Sequence, residues 1–136
     1  MTQKQIADML SEKGIRPTAQ RLAVYDYLYK HRTHPSADTV YEALVKKHPS
    51  FSKTTVYNSL HTLVDAGLVL ELAMDTGERH YDADTGLHGH FHCRYCGSIA
   101  DFPLDEGLVN QLIPEGFKPE GKGIYFSGQC PNCSKN

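Results

Sequence analysis

Four cysteines stand in two Cys-x-x-Cys pairs, and this is the most specific chemical pattern in the chain. Cys93 pairs with Cys96, and Cys130 pairs with Cys133. Each pair places two sulfur atoms on a tight turn, and together they supply the four thiolates of a closed tetrahedral zinc site. Such a zinc is structural, because protein fills every coordination position. A redox-active dithiol is the alternative, but neither pair is expected to open a helix in a βαβ unit.

Three histidines alternate just before the first cysteine pair. His88, His90 and His92 are two residues apart, so on a strand their imidazoles project to one face and could reach a single ion. Asp82 and Asp101 lie on neighbouring predicted strands and offer the carboxylates that a harder divalent cation prefers. His92 directly precedes the cysteine pair, so we expect it to turn toward the zinc as a surface or supporting residue. The pattern therefore predicts a second metal site with nitrogen and oxygen donors.

Two kinds of element are expected to position these ligands. Hydroxyl residues that can cap a helix precede four stretches with helical spacing of apolar side chains, and they are Thr2, Thr18, Ser36 and Ser52. Strands are predicted over residues 68–73, 79–83, 88–94, 98–102 and 123–127, with one further helix over residues 104–113. Three helices followed by a two-stranded hairpin is the order of a winged helix-turn-helix. We therefore expect an α+β protein.

The fourth predicted helix has a polar outer face that suits a DNA groove. The face consists of Thr54, Tyr57, Asn58 and His61, on the side opposite to Val56, Leu60 and Leu63. No carboxylate occurs between residues 43 and 64, and hydroxyl, amide, imidazole and phenol groups bond to base edges in a major groove. Lys53 at the start of the helix is expected to contact phosphate. A small helical domain with a polar surface helix is the alternative interpretation.

Charge is distributed unevenly along the 136 residues, whose net charge is −2. Residues 1–64 hold nine Lys and Arg against five Asp and Glu, whereas residues 65–136 hold five against eleven. A basic first half suits a protein that presents one end to phosphates. The first residues lack the order of a secretory signal, and no apolar run approaches the roughly 18 residues of a membrane span. We therefore expect a cytoplasmic protein.

Five segments of the sequence resemble the ferric uptake regulator (Fur) family. They are residues 14–21, 34–38, 54–60, 67–69 and the His-x-His-x-x-Cys-x-x-Cys stretch over residues 88–96. The resemblance implies a winged-helix DNA-binding domain with a hinge over residues 1–83. It also implies a small α/β dimerisation domain over residues 84–136 that holds a structural zinc. Within the family, the chain is most similar to the peroxide-sensing branch.

The resemblance also implies a set of regulatory ligands for Fe²⁺ or Mn²⁺. These ligands are His34, Asp82, His88, His90 and Asp101. Peroxide sensors of the family resemble one another in carrying Asp at the position of Asp101, where iron-uptake regulators carry Glu. His92 departs from the family, which usually has an apolar residue there. Arg16 is implied as a further DNA contact.

The expected function is that of a metal-dependent transcriptional repressor, which binds palindromic double-stranded operator DNA as a homodimer. The resemblance implies that hydrogen peroxide, in the presence of bound Fe²⁺, oxidises a histidine ligand and so releases the metal and the DNA. His34 and His88 are the candidate oxidised residues. The alternative is an iron-uptake or zinc-uptake repressor that responds to metal supply.

Two functions of other classes are not expected. A metalloenzyme would need a general base, and no carboxylate is evidently available for that role. A structural zinc protein with a protein-binding helix would not bind a palindromic duplex in a salt-sensitive way. We therefore expect a regulator and not an enzyme.

Overall fold

The first half of the chain forms four helices, and a hydroxyl side chain begins each of them. They are α1 (Gln3–Glu12), α2 (Ala19–Lys30), α3 (Ala37–Val45) and α4 (Lys53–Asp65). The side chains of Thr2, Thr18, Ser36 and Ser52 each accept a hydrogen bond from the backbone N–H three residues later. These bonds satisfy donors that have no partner inside the helix, so the predicted helix starts are confirmed. The computed structural model describes residues 1–73, 75 and 77–135.

The apolar sides of these helices form the main hydrophobic core. Val56, Leu60 and Leu63 of α4 are fully buried in one cluster that also includes Ile6 and Leu28. Complete burial of each such side chain contributes about 1.5–3 kcal/mol. The cluster lies within one unit, Met1–Ala73 with Gly77–Thr85, which we call the N-terminal unit.

A two-stranded hairpin completes the N-terminal unit. Strands β1 (Leu70–Ala73) and β2 (Arg79–Asp82) are antiparallel, and Leu70 lies opposite Asp82. Tyr81 and Ala83 are buried in the same core as the helices. They anchor the end of β2 and so fix the position of Asp82 between them. Helices followed by this hairpin form the winged helix-turn-helix that the sequence predicts.

The second unit, which we call the C-terminal unit, contains Asp75 and residues 86–135. Its sheet has the order β4-β3-β5, with β3 (His88–Cys93), β4 (Ile99–Pro103) and β5 (Tyr125–Gly128). Strand β4 pairs with β3 in antiparallel fashion, whereas β5 pairs with β3 in parallel. A parallel neighbour requires a crossover connection, and this one carries helix α5 (Glu106–Gln111). The predicted α+β fold class is confirmed.

Three details of the C-terminal unit differ from the sequence predictions by two residues or more. Helix α5 is shorter than the predicted 104–113, because the Asp105 side chain accepts the N–H of Gly107 and begins the helix there. Strand β5 begins at Tyr125, two residues later than predicted. Helix α6 (Pro131–Ser134) was not predicted, and Pro131 suits its first position because proline has a fixed φ. Within the described residues, no helix combines the length and apolar character needed to cross a membrane.

Candidate metal centres and DNA-contact surface

The four cysteine sulfurs form a compact group in the C-terminal unit. Cys93 Sγ lies 3.7 Å from Cys133 Sγ, and Cys96 Sγ lies 3.8 Å from Cys130 Sγ. A regular tetrahedron with Zn–S bonds of about 2.3 Å has S···S edges of about 3.8 Å. A disulfide would need sulfurs about 2.05 Å apart, and all four thiols are free. The donor set and its spacing therefore fit a structural zinc ion.

The second cysteine pair lies at the start of a short helix. Cys130 is the N-cap of α6, whose first residue is Pro131. No strand follows α6 in the described part of the chain, so this is not the βαβ setting of a redox dithiol. The zinc interpretation is unaffected, because the first pair lies on a different segment and its sulfurs complete the tetrahedron.

Local hydrogen bonds shift the pKa values of two cysteine thiols in opposite directions. Backbone N–H groups, that of Cys96 above all, lower the pKa of Cys93 to about 6. Hydrogen bonding of the Cys133 thiol to the sulfurs of Cys130 and Cys93 raises the pKa of Cys133 to about 12. The Cys93 thiol therefore ionises easily and the Cys133 thiol with difficulty, and repulsion from an ionised Cys130 adds to the hydrogen bonds that raise the pKa of Cys133. A divalent cation would compensate this repulsion, and the thiolate is the form that binds zinc.

His34 and Asp82 form a buried pair in the N-terminal unit. His34 Nε2 lies 3.3 Å from Asp82 Oδ2, and both side chains are only 3% exposed. Two bonds hold the loop that carries His34 against β2: the Tyr81 N–H donates to the Pro35 carbonyl at 3.0 Å, and His80 Nδ1 donates to the His34 carbonyl at 2.8 Å. The two chain segments that carry the pair are therefore joined by one backbone bond and by one bond from the His80 side chain.

The backbone of His34 has a conformation that is rare outside glycine. Its φ is 56°, which lies in the left-handed region. Such a residue costs about 1–3 kcal/mol and persists where the surrounding structure holds it, commonly at functional sites. Burial of a carboxylate is also unfavourable unless the charge is compensated. The His34 nitrogen and the Asp82 oxygen lie close enough to bind one cation together.

His88, His90 and Asp101 form a second group of nitrogen and oxygen donors, in the C-terminal unit. Asp101 on β4 lies directly opposite His90 on β3. Asp101 Oδ1 is 3.5 Å from His90 Nε2 and 3.9 Å from His88 Nε2. The His88 Nδ1–H donates to the Gly86 carbonyl at 2.7 Å, which leaves the lone pair of that ring on Nε2. The sheet thus directs two imidazole nitrogens and one carboxylate oxygen to the same place.

Gly89 allows this arrangement of β3. A Cβ at that residue would overlap the ring of Phe102, which lies opposite it on β4. Glycine therefore lets Phe102 pack against the strand between the two histidines. With any larger residue, either the Phe102 ring or the strand would have to shift.

His92 has a different environment from that of the other two histidines on β3. His92 Nδ1 lies 2.7 Å from Asp75 Oδ1, and Arg94 Nε donates to Asp75 Oδ2 at 2.7 Å. Arg94, and next to it His92, lower the pKa of Asp75 to about 2. The expectation that His92 turns toward the zinc missed this partner, because Asp75 is 17 residues away in the sequence. No local sequence pattern indicates the contact.

One face of α4 is exposed and the opposite face is buried, as the sequence predicts. Thr54, Asn58 and His61 are exposed, Tyr57 is 40% exposed, and the residues on the opposite side belong to the core. Arg16 is exposed as well. The roles of these residues in DNA contact stay predictions.

An acidic residue that sequence reasoning missed lies beside this face. Asp38 of α3 accepts a hydrogen bond from the Tyr57 hydroxyl at 2.7 Å and pairs with Lys53 Nζ at 2.9 Å. Lys53 therefore already has an anionic partner. The helical position of Asp38 gave no indication of this contact, because the angle between two packed helices decides it.

The sequence of this chain is similar to a known protein family and to individual members of it. The sequence profile of the ferric uptake regulator family matches residues 12–124. The chain is 40% identical over 137 residues to the "Peroxide operon regulator" of Bacillus subtilis, which covers 97% of this chain and 93% of that protein.

Two regulators are among the proteins whose solved structures are similar to this one. The peroxide-sensing regulator PerR of Streptococcus pyogenes is 35% identical, with a TM-score of 0.55, covering 96% of this chain and 92% of that one. The ferric uptake regulator Fur of Helicobacter pylori has a TM-score of 0.80 over 100% of this chain and 96% of its own. At 22% identity, the latter shows the fold alone. On the profile match and the identity to its relatives, the chain belongs to the ferric uptake regulator family.

Proposed function

We propose that this chain is a metal-dependent transcriptional repressor that releases operator DNA when hydrogen peroxide oxidises a histidine ligand. The observation that carries the proposal is the pairing of Asp101 with His90, which directs an aspartate to the same place as two imidazoles. The names of the B. subtilis and S. pyogenes relatives support it, because both describe a response to peroxide. In this role the protein regulates transcription in the cytoplasm and does not turn over a substrate.

Two metal sites serve this function. Cys93, Cys96, Cys130 and Cys133 hold a structural Zn²⁺. The regulatory Fe²⁺ or Mn²⁺ is bound by His34, Asp82, His88, His90 and Asp101. Imidazole and carboxylate donors suit these ions, whereas a thiolate set favours zinc. The 3.3 Å approach of His34 Nε2 to Asp82 Oδ2 supports the first two ligands, because it brings a nitrogen and an oxygen donor to one place.

Ligands from both units explain how metal controls DNA binding. His34 and Asp82 belong to the N-terminal unit, and the other three regulatory ligands belong to the C-terminal unit. An ion that binds all five favours the arrangement of units in which they converge. If that arrangement also sets the spacing of the reading helices, metal and DNA strengthen each other's binding by the same coupling free energy, typically about 1–3 kcal/mol.

Oxidation of one ligand reverses this coupling. When bound, Fe²⁺ would activate hydrogen peroxide beside its ligands: the O–O bond breaks, one oxygen atom is inserted at a ring C–H bond of a histidine, which supplies the two electrons overall, and the other oxygen atom leaves as water. His34 and His88 are the candidate residues, each with Nε2 close to an aspartate oxygen. An oxidised ring no longer offers the same lone pair, so the remaining ligands hold the metal more weakly. The two units then lose the restraint that favours DNA binding.

A homodimer is the expected binding form. Strand β5 lies at an edge of its sheet and carries Phe126, which is 57% exposed and stacks on Phe102 with ring centroids 5.8 Å apart. Leu108 and Leu112 near α5 are also exposed. A second copy that covers these side chains would remove apolar surface from water. Two-fold symmetry of the protein then matches a palindromic duplex.

Six residues are proposed as DNA contacts. They are Arg16, Lys53, Thr54, Tyr57, Asn58 and His61. Exposure of the polar side of α4 supports the proposal, because the opposite side is committed to the core. Side chains on α4 are expected to contact base edges, and the cationic residues are expected to contact phosphates.

The test compares DNA binding by the Fe²⁺-loaded and Mn²⁺-loaded chains under anaerobic conditions, before and after a modest dose of peroxide. The duplex is the palindrome that the Mn²⁺-loaded chain selects from a randomised pool. We expect both forms to bind and only the Fe²⁺ form to be released by peroxide. Retained binding in both forms would assign the chain to metal-supply regulation, as in an iron-uptake or zinc-uptake repressor.

A further inference from the structure

Asp38 joins two side chains of the proposed reading helix. It lies in the first turn of α3, and its Oδ1 is bonded both to the Tyr57 hydroxyl at 2.7 Å and to Lys53 Nζ at 2.9 Å. The Lys53 ammonium also lies 6.0 Å from the centre of the Tyr57 ring. Asp38 and Lys53 remain 45% and 57% exposed, so the cluster is accessible to a ligand from solvent.

We propose that Asp38 is a specificity-determining residue, which masks the charge of Lys53 and positions Tyr57 so that α4 discriminates between DNA sequences. The inference rests on the proposed function, in which α4 contacts DNA. Asp38 itself acts through its two partners and is therefore a positioning residue.

The bond to Asp38 determines what Tyr57 can offer a base. A tyrosine hydroxyl has a single proton, and here that proton is donated to the carboxylate. The hydroxyl oxygen can still accept a bond, and the exposed ring can contact a thymine methyl group. The bond to Asp38 raises the pKa of Tyr57, and the bonds from Lys53 and Tyr57 lower the pKa of Asp38, so both bonded forms persist at neutral pH.

The ion pair between Asp38 and Lys53 affects the sequence-independent component of DNA binding. An unpaired lysine contacts any phosphate, and such contacts are independent of sequence. A carboxylate beside the lysine also repels phosphate. Asp38 therefore lowers non-specific affinity, while the anchored Tyr57 ring preserves contacts that depend on the base. The ratio of specific to non-specific affinity rises as a result.

Two substitutions separate these effects. Asp38→Asn removes the charge but keeps an oxygen that can accept the Tyr57 proton, whereas Asp38→Ala removes both interactions. Glu12→Gln, at an exposed position of α1, is the control for the same change in net charge. The double variant Asp38→Asn with Lys53→Gln tests whether the lysine is responsible. Far-UV circular dichroism and zinc content establish that each variant is folded.

The assay measures the Kd for two duplexes as a function of salt, with the Mn²⁺-loaded chain. One is the palindrome that the wild-type chain selects from a randomised pool, and the other is a scrambled duplex of equal length. For Asp38→Asn we expect tighter binding to the scrambled duplex, by up to about eightfold per subunit near 0.1 M salt, because a phosphate contact that Asp38 no longer weakens adds a slope of at most about 0.9. For Asp38→Ala we also expect the specific to non-specific ratio to fall by about fivefold or more.

The salt slope and the specific to non-specific ratio together support or refute the inference. The double variant should lose the salt slope that Asp38→Asn gains, because Lys53 is its source, and Glu12→Gln should leave both the slope and the ratio unchanged. The inference is wrong if Asp38→Asn leaves the slope unchanged, if Glu12→Gln changes it equally, or if Asp38→Ala keeps the ratio. A wild-type chain that selects no palindromic duplex would instead refute the proposed function, and this inference would fall with it.

Discussion

Removal of zinc from the four-cysteine site is expected to unfold the C-terminal unit and leave the N-terminal unit folded. The reason is the distribution of buried apolar side chains. The main core lies wholly in the N-terminal unit, whereas the buried apolar residues of the C-terminal unit, among those the structure describes, are Cys93 and Val109. Burial of a valine contributes about 1.5–3 kcal/mol, and this cannot offset the entropy of an ordered unit.

The free energy that zinc binding contributes is much larger than that of burying these side chains. Structural zinc sites supply about 10–16 kcal/mol of apparent binding free energy at neutral pH, and that binding energy is folding energy where no site exists in the unfolded chain. A typical domain has a stability of about 5–15 kcal/mol. Loss of the ion therefore removes as much free energy as the unit is expected to have. The four helices of the N-terminal unit keep their own core and their caps.

Amide hydrogen exchange with and without a strong zinc chelator measures this effect. We expect the amides of β3, β4 and β5 to lose protection in the zinc-free chain, while those of α2 and α4 keep theirs. Cys133→Ser should reproduce the loss without chelator, and Ser134→Ala, at the next residue, should not. Protected strand amides in a chain shown to contain no zinc would refute the reasoning.

Three further predictions concern other parts of the chain. Asp101→Glu should keep metal-dependent DNA binding but slow the release of DNA by peroxide, as measured by fluorescence anisotropy of a labelled duplex; an unchanged release rate would show that this residue does not set the response. Gly89→Ala should lower the stability by about 1–3 kcal/mol, because the new Cβ overlaps the Phe102 ring, and thermal unfolding would detect this change. Phe126→Asp should convert a dimer into a monomer in sedimentation experiments, since it places a charge in the proposed apolar interface.

Much of the fold could be predicted, because the relevant information is local. A hydroxyl residue before a helical pattern marks each of the first four helices, and the structure shows the predicted capping bonds. The side of α4 that is buried also follows from residue spacing alone. The cysteine pairs have a spacing that few functions other than metal binding require, so their convergence could be anticipated.

Contacts that depend on tertiary packing could not be predicted. Asp38 meets Tyr57 because α3 and α4 pack together, and Asp75 meets His92 across 17 residues of sequence. Neither contact leaves a periodic pattern. Helix α6 was missed for a different reason: it has only four residues and begins at a proline that also suits a turn.

The positions of the His and Asp ligands could be predicted only in part. The alternation of His88 and His90 indicates one face of a strand, and the register that brings Asp101 opposite His90 follows once β3 and β4 pair. His34 carries no such pattern in the sequence, and only the family resemblance implied it, whereas Asp82 was also expected from its place on a predicted strand. Their mutual distance of 3.3 Å and their burial are observations that the sequence did not provide.

The most direct test of the peroxide-sensing account is the mass of the peptides that contain His34 and His88, taken from samples whose DNA binding is measured in parallel. The account predicts that peroxide adds the mass of one oxygen atom to at least one of these peptides in the Fe²⁺-loaded chain, in proportion to the DNA released. The Mn²⁺-loaded chain should gain no oxygen and release no DNA. Release of DNA by the Fe²⁺-loaded chain with both peptides unmodified would contradict the account.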